Sequence, residues 1–177
     1  GRGTFITYSP HDRSSSRLVG YSTHSFHSEI HNTLLSSVET VLRSAGYHVV
    51  FINADNNEDE ITILEQLIED NVCGLLLWPN AKPTQAQKDL LQQYQNLNIP
   101  FVFIDRMIEG IVADYVASDN YAGTYAMTNH LIELGHRHIV HLMPNMPSLL
   151  PITQRHASYV DELAQHNVPT YDAWMMN

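Results

Sequence analysis

A single cysteine, Cys73, stands among 177 residues, so no internal disulfide can form, and that composition fits a reducing compartment. Basic residues are also scarce: Lys+Arg total 9 against 19 Asp+Glu, for a formal net charge of -10 at pH 7. A chain this acidic cannot hold a phosphate backbone by counterion release, which excludes direct nucleic-acid binding by its own surface. No apolar run reaches the length of a membrane span, and the first residues lack the apolar core of a signal peptide. Glycine punctuates sparingly. The first strand-like run is followed by GYSTHS, not by a dinucleotide fingerprint, and there is neither a Walker A loop nor a G-x-S-x-G elbow. No nucleophile, catalytic carboxylate pair or bound cofactor is indicated, and the chain reads as a non-enzyme.

What is present is an alternation. Apolar strand-like runs occur at LVGYS (18–22), HVVFIN (48–53), GLLLWP (74–79), PFVFID (100–105), YVASD (115–119) and HIVHLM (138–143). Their continuity predicts strands buried on both faces. Between them lie amphipathic stretches. Phe26, Ile30, Leu34, Val38, Val41 and Ala45 form one helical stripe, closed by Gly46 as a C-cap. Ile61, Leu64, Leu67, Ile68 and Val72 form a second inward stripe, and a third helix opens at Thr84 as N-cap and stops before Pro100. Fourth and fifth helices are expected over 121–135 and 153–167. Strict strand–helix alternation predicts an α/β fold, a parallel sheet with helices on both faces. Ligands of such sheets sit beyond the carboxyl ends of the strands. Thr23 to Phe26, Trp78 to Asn80, Asp105, Arg106, Asp119 and Asn120 are therefore the positions to watch.

Ordered motifs point further. FHSEIHNTLLSSVETVLRSAGYHVVFINAD, EDEITILEQLIEDNVCGLLLWP, IPFVFIDR and VASDNYAGTYAMTNHLIELGHRHIVHL resemble, in order and spacing, the effector core of the LacI/GalR repressors. That core has the type I periplasmic-binding-protein-like fold. Arg155-His-Ala-Ser-Tyr159 resembles the family's arginine-to-aromatic motif, with Ser158 where glycine is usual. The opening GRGTF resembles the wing strand that ends a GntR-type winged helix, a layout like that of the arabinose-repressor subfamily. On this resemblance residues 1–6 are a stump of a DNA-binding domain, and the serine-rich 7–17 is a linker. Residues 18–120 are then a nearly complete N-terminal lobe, and 121–177 the start of a truncated C-terminal lobe. The loop MPNMPSLLPIT (143–153) departs from the family's short glycine-bearing loop.

The resemblance implies a cytoplasmic transcriptional repressor's sensing domain. It would bind a sugar or sugar derivative between two lobes, work as a homodimer, and reach operator DNA through an N-terminal winged helix. Arg155 carries the strongest ligand-contact expectation, because a guanidinium presents a planar fork of donors to vicinal hydroxyls or a carboxylate. Asp105 and Arg106 either line the cleft or pair with each other to fix their loop. Asp119 is an N-cap that can also contact ligand. Trp78 offers an aromatic face to a sugar ring or packs in the core, and core is the favoured fate for Phe26. His24 and Ser25 are polar lining. Eleven histidines raise the question of metal, and His27 with His31 has the i, i+4 spacing of a ligand pair. Without an HExxH pattern or a matching carboxylate set, no metal site is expected. A transporter's solute-binding protein shares the fold and is the alternative, requiring a signal peptide where the wing-like stretch stands. A small doubly wound enzyme is a third reading, without a motif to support it.

Overall fold

A computed structural model describes residues 15–24, 29–54, 56–144, 146 and 149–175. The GRGTF stretch, the first part of the linker, Ser25, Phe26 and His27 lie outside the described residues. Two compact units divide the chain: Gly1–Ile104 with Ile108–Asp114, and Asp105–Met107 with Tyr115–Asn177.

The first unit runs β1 (Leu18–His24), α1 (Glu29–Ser44), β2 (His48–Ala54), α2 (Asn57–Glu69), β3 (Gly74–Leu77), α3 (Gln85–Asn96) and β4 (Phe101–Ile104). A short β5 (Asp114–Val116) completes a five-stranded sheet of order β2-β1-β3-β4-β5. β1 pairs parallel with both β2 and β3, and β3 pairs parallel with β4. Thr84 caps α3 as its sequence predicts. Its hydroxyl accepts from the Gln87 amide while the Gln87 side chain accepts from the Thr84 amide, a reciprocal capping box. Gly46, at φ +81°, ends the α1 region in the left-handed conformation that glycine adopts without steric cost.

β1 is buried on both faces as expected, from Val19 to Thr23, whereas β3 and β4 are lopsided and correct that expectation. Leu75, Leu77, Phe101 and Phe103 are buried, whereas the alternating Leu76, Val102 and Ile104 are only partly so. The sealed side is the one that α2 and α3 cover. Leu64 and Leu67 of α2 and Leu91 and Tyr94 of α3 are fully buried, and the Tyr94 hydroxyl donates to the Leu64 carbonyl at 2.7 Å. Gly20 faces this layer. A Cβ there would sit 2.8 Å from Leu67 Cδ1, so the missing side chain is what lets α2 approach β1.

The opposite side is covered by α1, and not one residue of α1 is buried. The inward stripe expected for it is corrected accordingly: Ile30 and Val41 are 62% and 65% exposed. An apolar gap of about 300 Å³ separates Val38, Val41 and Leu42 from Leu76 of the sheet. The helix forms where its periodicity places it. Periodicity sets which residues share a face, not whether a neighbour fills the space beside it. Cys73 is half-buried.

The second unit holds α4 (Asn120–Glu133), β6 (Val140–Pro144), α5 (Leu150–Gln165) and β7 (Tyr171–Met175). β6 and β7 pair parallel. Ile132, Ile139, Tyr159, Leu163 and Val168 form its buried cluster. β7 (YDAWM) was not foreseen, because five residues with two aromatics and one acid show too little alternation to read as a strand. α5 also begins earlier than expected, at Leu150, with Pro151 in its first turn where the missing N–H costs nothing. The 143–153 stretch thus begins at the end of β6 and ends within α5, with residues 145, 147 and 148 outside the described residues. Arg137 closes α4 by donating to the Ile132 carbonyl at 2.9 Å. Among the described residues no helix is long and apolar enough to cross a membrane.

Candidate functional site

In the first unit the carboxyl end of β1 turns buried and polar. Gly20, Ser22 and His24 alternate toward the α2 side of the strand, and Ser22 and Thr23 are fully buried. His24 Nε2 lies 3.0 Å from Glu60 Oε2, in a contact bent away from the ideal hydrogen-bond line. Glu60, in the first turn of α2, is 1% exposed and also accepts from Gln87 Nε2 of α3. Gln87 is itself 1% exposed, and its Oε1 accepts from the Thr84 amide at 2.6 Å. Glu60 Oε2 thus accepts from Gln87 and has the His24 ring nitrogen 3.0 Å away without a hydrogen bond, while Oε1 is buried without a hydrogen-bond partner among the described residues.

Trp78 follows β3, with its amide donating to the Ser22 carbonyl at 2.9 Å. Its indole packs against the His31 ring at 4.3 Å between centroids, leaving Trp78 half-buried. His31 is thus an aromatic partner of Trp78. The other half of the His27–His31 pair lies outside the described residues, as do Ser25 and Phe26.

In the second unit, Asp105 and Arg106 form an ion pair at 3.5 Å, both partly exposed. Asp105 sits at φ +63°, a left-handed conformation held by its own amide bond to the Val116 carbonyl and by the Tyr115 hydroxyl, which donates to the Asp105 carbonyl at 2.8 Å. Burial, and secondarily the Asp105 charge, raise the Tyr115 pKa. Asp119 caps α4, with Oδ1 accepting from the Ala122 amide at 2.8 Å. Arg155 stands in the second turn of α5, not at the helix start, because the helix opens three residues before the expected Thr153. It is exposed, with no hydrogen bond or ion pair to a described residue.

Ser158, at the position where glycine was the pattern, is fully buried, and its hydroxyl donates to the Tyr121 carbonyl of α4 at 2.7 Å. Tyr121 of α4 donates to Asp161 of α5 at 2.7 Å and Tyr125 donates to Gln165 at 3.3 Å, and the phenol pKa values are raised chiefly by Asp161 for Tyr121 and by the nearby Glu162 for Tyr125. These bonds knit α4 to α5 through Asp161 and Gln165.

Glu60 and Gln87 were not singled out from the sequence, though a signal was there. Glu60 falls on the spacing of Ile63, Leu64 and Leu67, which puts a carboxylate on the buried stripe of α2. Thr84-x-x-Gln87 is a capping-box pattern in its own right.

The geometry so far is that of a parallel α/β unit with its polar residues gathered past the strand ends, followed by a second unit that starts another parallel pair. Residues 16–177 match the family described as periplasmic binding proteins and sugar binding domain of LacI family, and the chain belongs to that family. It is 26% identical to the arabinose metabolism transcriptional repressor of Geobacillus stearothermophilus, over 100% of this chain and 49% of that protein. It is 31% identical to the ribose operon repressor of Halalkalibacterium halodurans, over 76% of this chain and 38% of that one. A periplasmic binding protein/LacI transcriptional regulator from Alkaliphilus metalliredigens, solved with D-xylulofuranose, shares the fold. Its TM-score is 0.74 at 23% identity, over 90% of this chain and 57% of that one. The chain spans half or less of the curated relatives named here. The two curated relatives named here are transcriptional repressors.

Proposed function

We propose that this chain is the effector-sensing part of a cytoplasmic transcriptional repressor whose ligand is a sugar or sugar derivative. The family match over residues 16–177, joined by repressors of arabinose and ribose genes among its relatives, carries the reading. Ligand contact is assigned to His24 and Trp78 of the first unit, and to Ser25 and Phe26, which follow His24 in sequence. In the second unit it is assigned to Asp105, Arg106, Asp119 and Arg155. Arg155 leads, because its donor fork is not committed to any described residue. Asp105, Arg106 and Asp119 have structural duties already, so ligand contact is a second role for them.

The protein works by binding alone. A ligand that prefers one of two states of the repressor shifts the equilibrium by its difference in affinity, and that difference is what changes operator occupancy. Operator contact is assigned to a winged-helix head of GntR type, on the GRGTF motif, in a homodimer that presents two heads. The family match starts at residue 16, past this motif.

Differential scanning fluorimetry of the full-length protein with L-arabinose, D-ribose and D-xylulose, paired with operator release in a gel shift, tests the proposal. A ligand that binds the native state raises the melting temperature. Release of operator by the same sugar is the expected result. A protein that binds no operator and responds to no sugar defeats it.

A further inference from the structure

The carboxyl ends of the strands are one side of the first unit's sheet; a cavity of about 500 Å³ lies at the other. It opens between the starts of β1, β2 and β3 and the last turn of α1. Its size is that of a small-molecule site, and so is its make-up, apolar walls with a few polar groups. Val19 and Leu42 supply aliphatic wall and Tyr47 an aromatic one, while Ser16 and Asn98 bring a hydroxyl and an amide. Gly74 adds no side chain to fill the space, and a Cβ built on it would meet only Pro100, at 3.5 Å.

Charge narrows the class of ligand. The chain carries a net charge of -10, yet none of the described lining residues is acidic. Arg17, the neighbour of Ser16, holds its guanidinium carbon 5.1 Å from the centre of the Tyr47 ring. No carboxylate pairs with it among the described residues. A guanidinium stacked on an aromatic face keeps its edge donors free for a planar anion. An uncommitted cation beside an apolar, aromatic recess matches a molecule with a flat apolar body and a carboxylate at one end.

We propose that this cavity is a second ligand site, for a small aromatic carboxylate. Val19, Leu42 and Tyr47 pack its ring, and Arg17 pairs with its carboxylate. The site is separate from the sugar contacts assigned at the strand carboxyl ends and does not rest on them.

Cys73 lines the cavity, half-buried, and serves as the reporter. Full-length protein is alkylated with iodoacetamide in the presence of benzoate or phenylacetate, and modification of the Cys73 peptide is followed by mass spectrometry. At saturation at least one of the two acids is expected to slow alkylation by about ten-fold, because only empty sites expose the thiol. Benzamide and phenylacetamide keep the ring without the charge, and should need about ten-fold more ligand for the same protection, the size of one charge-assisted hydrogen bond. Arg17→Gln, at an exposed position, should erase this preference for acid over amide. Gly74→Val puts a strand-favouring side chain into the cavity and should abolish protection by either acid. Wild-type alkylation that neither acid slows overturns the site, as does protection that survives Gly74→Val in a protein with an unchanged circular dichroism spectrum. Equal protection by acid and amide, or a preference for acid that persists in Arg17→Gln, overturns the carboxylate and the role of Arg17.

Discussion

The Tyr159 hydroxyl donates to the Ile139 carbonyl at 2.7 Å and accepts from the Tyr171 amide at 3.0 Å, so one buried phenol ties α5 to the start of β6 and of β7. A motif read for its arginine thus supplies, four residues on, the fastening of the second unit's core. Tyr159→Phe keeps the ring among Ile132, Ile139 and Leu163 but leaves a carbonyl and an amide short of partners. A loss of about 1–3 kcal/mol is expected in urea unfolding followed by circular dichroism. An unchanged midpoint would mean that solvent replaces the phenol at both groups.

Arg155→Ala is expected to behave in the opposite way. An exposed arginine without a described partner contributes little to folding, so the melting temperature of the unliganded protein should move by less than about 0.5 kcal/mol in equivalent stability. The sugar-induced rise should be lost. Retention of that rise would remove Arg155 from the site.

The Tyr21 phenol is buried beside Phe51, their centroids 5.5 Å apart, and burial pushes its pKa up to about 12. Its hydroxyl has no hydrogen-bond partner among the described residues. The unfolded chain ionises this tyrosine near pH 10, so above that pH the native state binds more protons than the unfolded state and stability falls as pH rises. The contribution is complete below about pH 10 and is lost on rising through about pH 12. Melting curves from pH 8 to pH 12 should therefore fall less steeply for Tyr21→Phe than for wild type. Near neutral pH the same substitution is expected to be neutral or slightly stabilising, because it deletes an unpaired buried hydroxyl.

Thr84→Ala removes the capping hydroxyl of α3 but not the Gln87 side chain. A cost of about 1 kcal/mol is expected from the lost cap, read as a lower denaturant midpoint at unchanged slope. Thr84→Ser keeps the oxygen and should recover most of it.

Much of this architecture was legible because it is local. Helix and strand positions followed from apolar spacing, Gly46 from the need to end a helix in the left-handed region, and Thr84 and Asp119 from cap chemistry acting within three residues. Asp105 and Arg106 were weighed as a loop-fixing pair from adjacency alone, and they do pair. Illegible features depend on distance in the chain. The Glu60–Gln87 bond spans 27 residues and the Tyr159–Ile139 bond 20, and no pattern within a single element announces either.

By itself the amino-acid sequence determined the order of elements up to α5, their parallel pairing and the family, since periodicity, caps and ordered motifs are properties of short stretches. Which face of each element is sealed was decided by the tertiary structure alone. α2 and α3 cover one side of the sheet closely, whereas α1 carries an equally regular stripe and buries none of it. The physical reason is that burial is a property of what stands opposite. An apolar side chain leaves water only when a neighbour occupies the space beside it, and the buried Glu60 carboxylate finds its hydrogen-bond donor, Gln87, on another element.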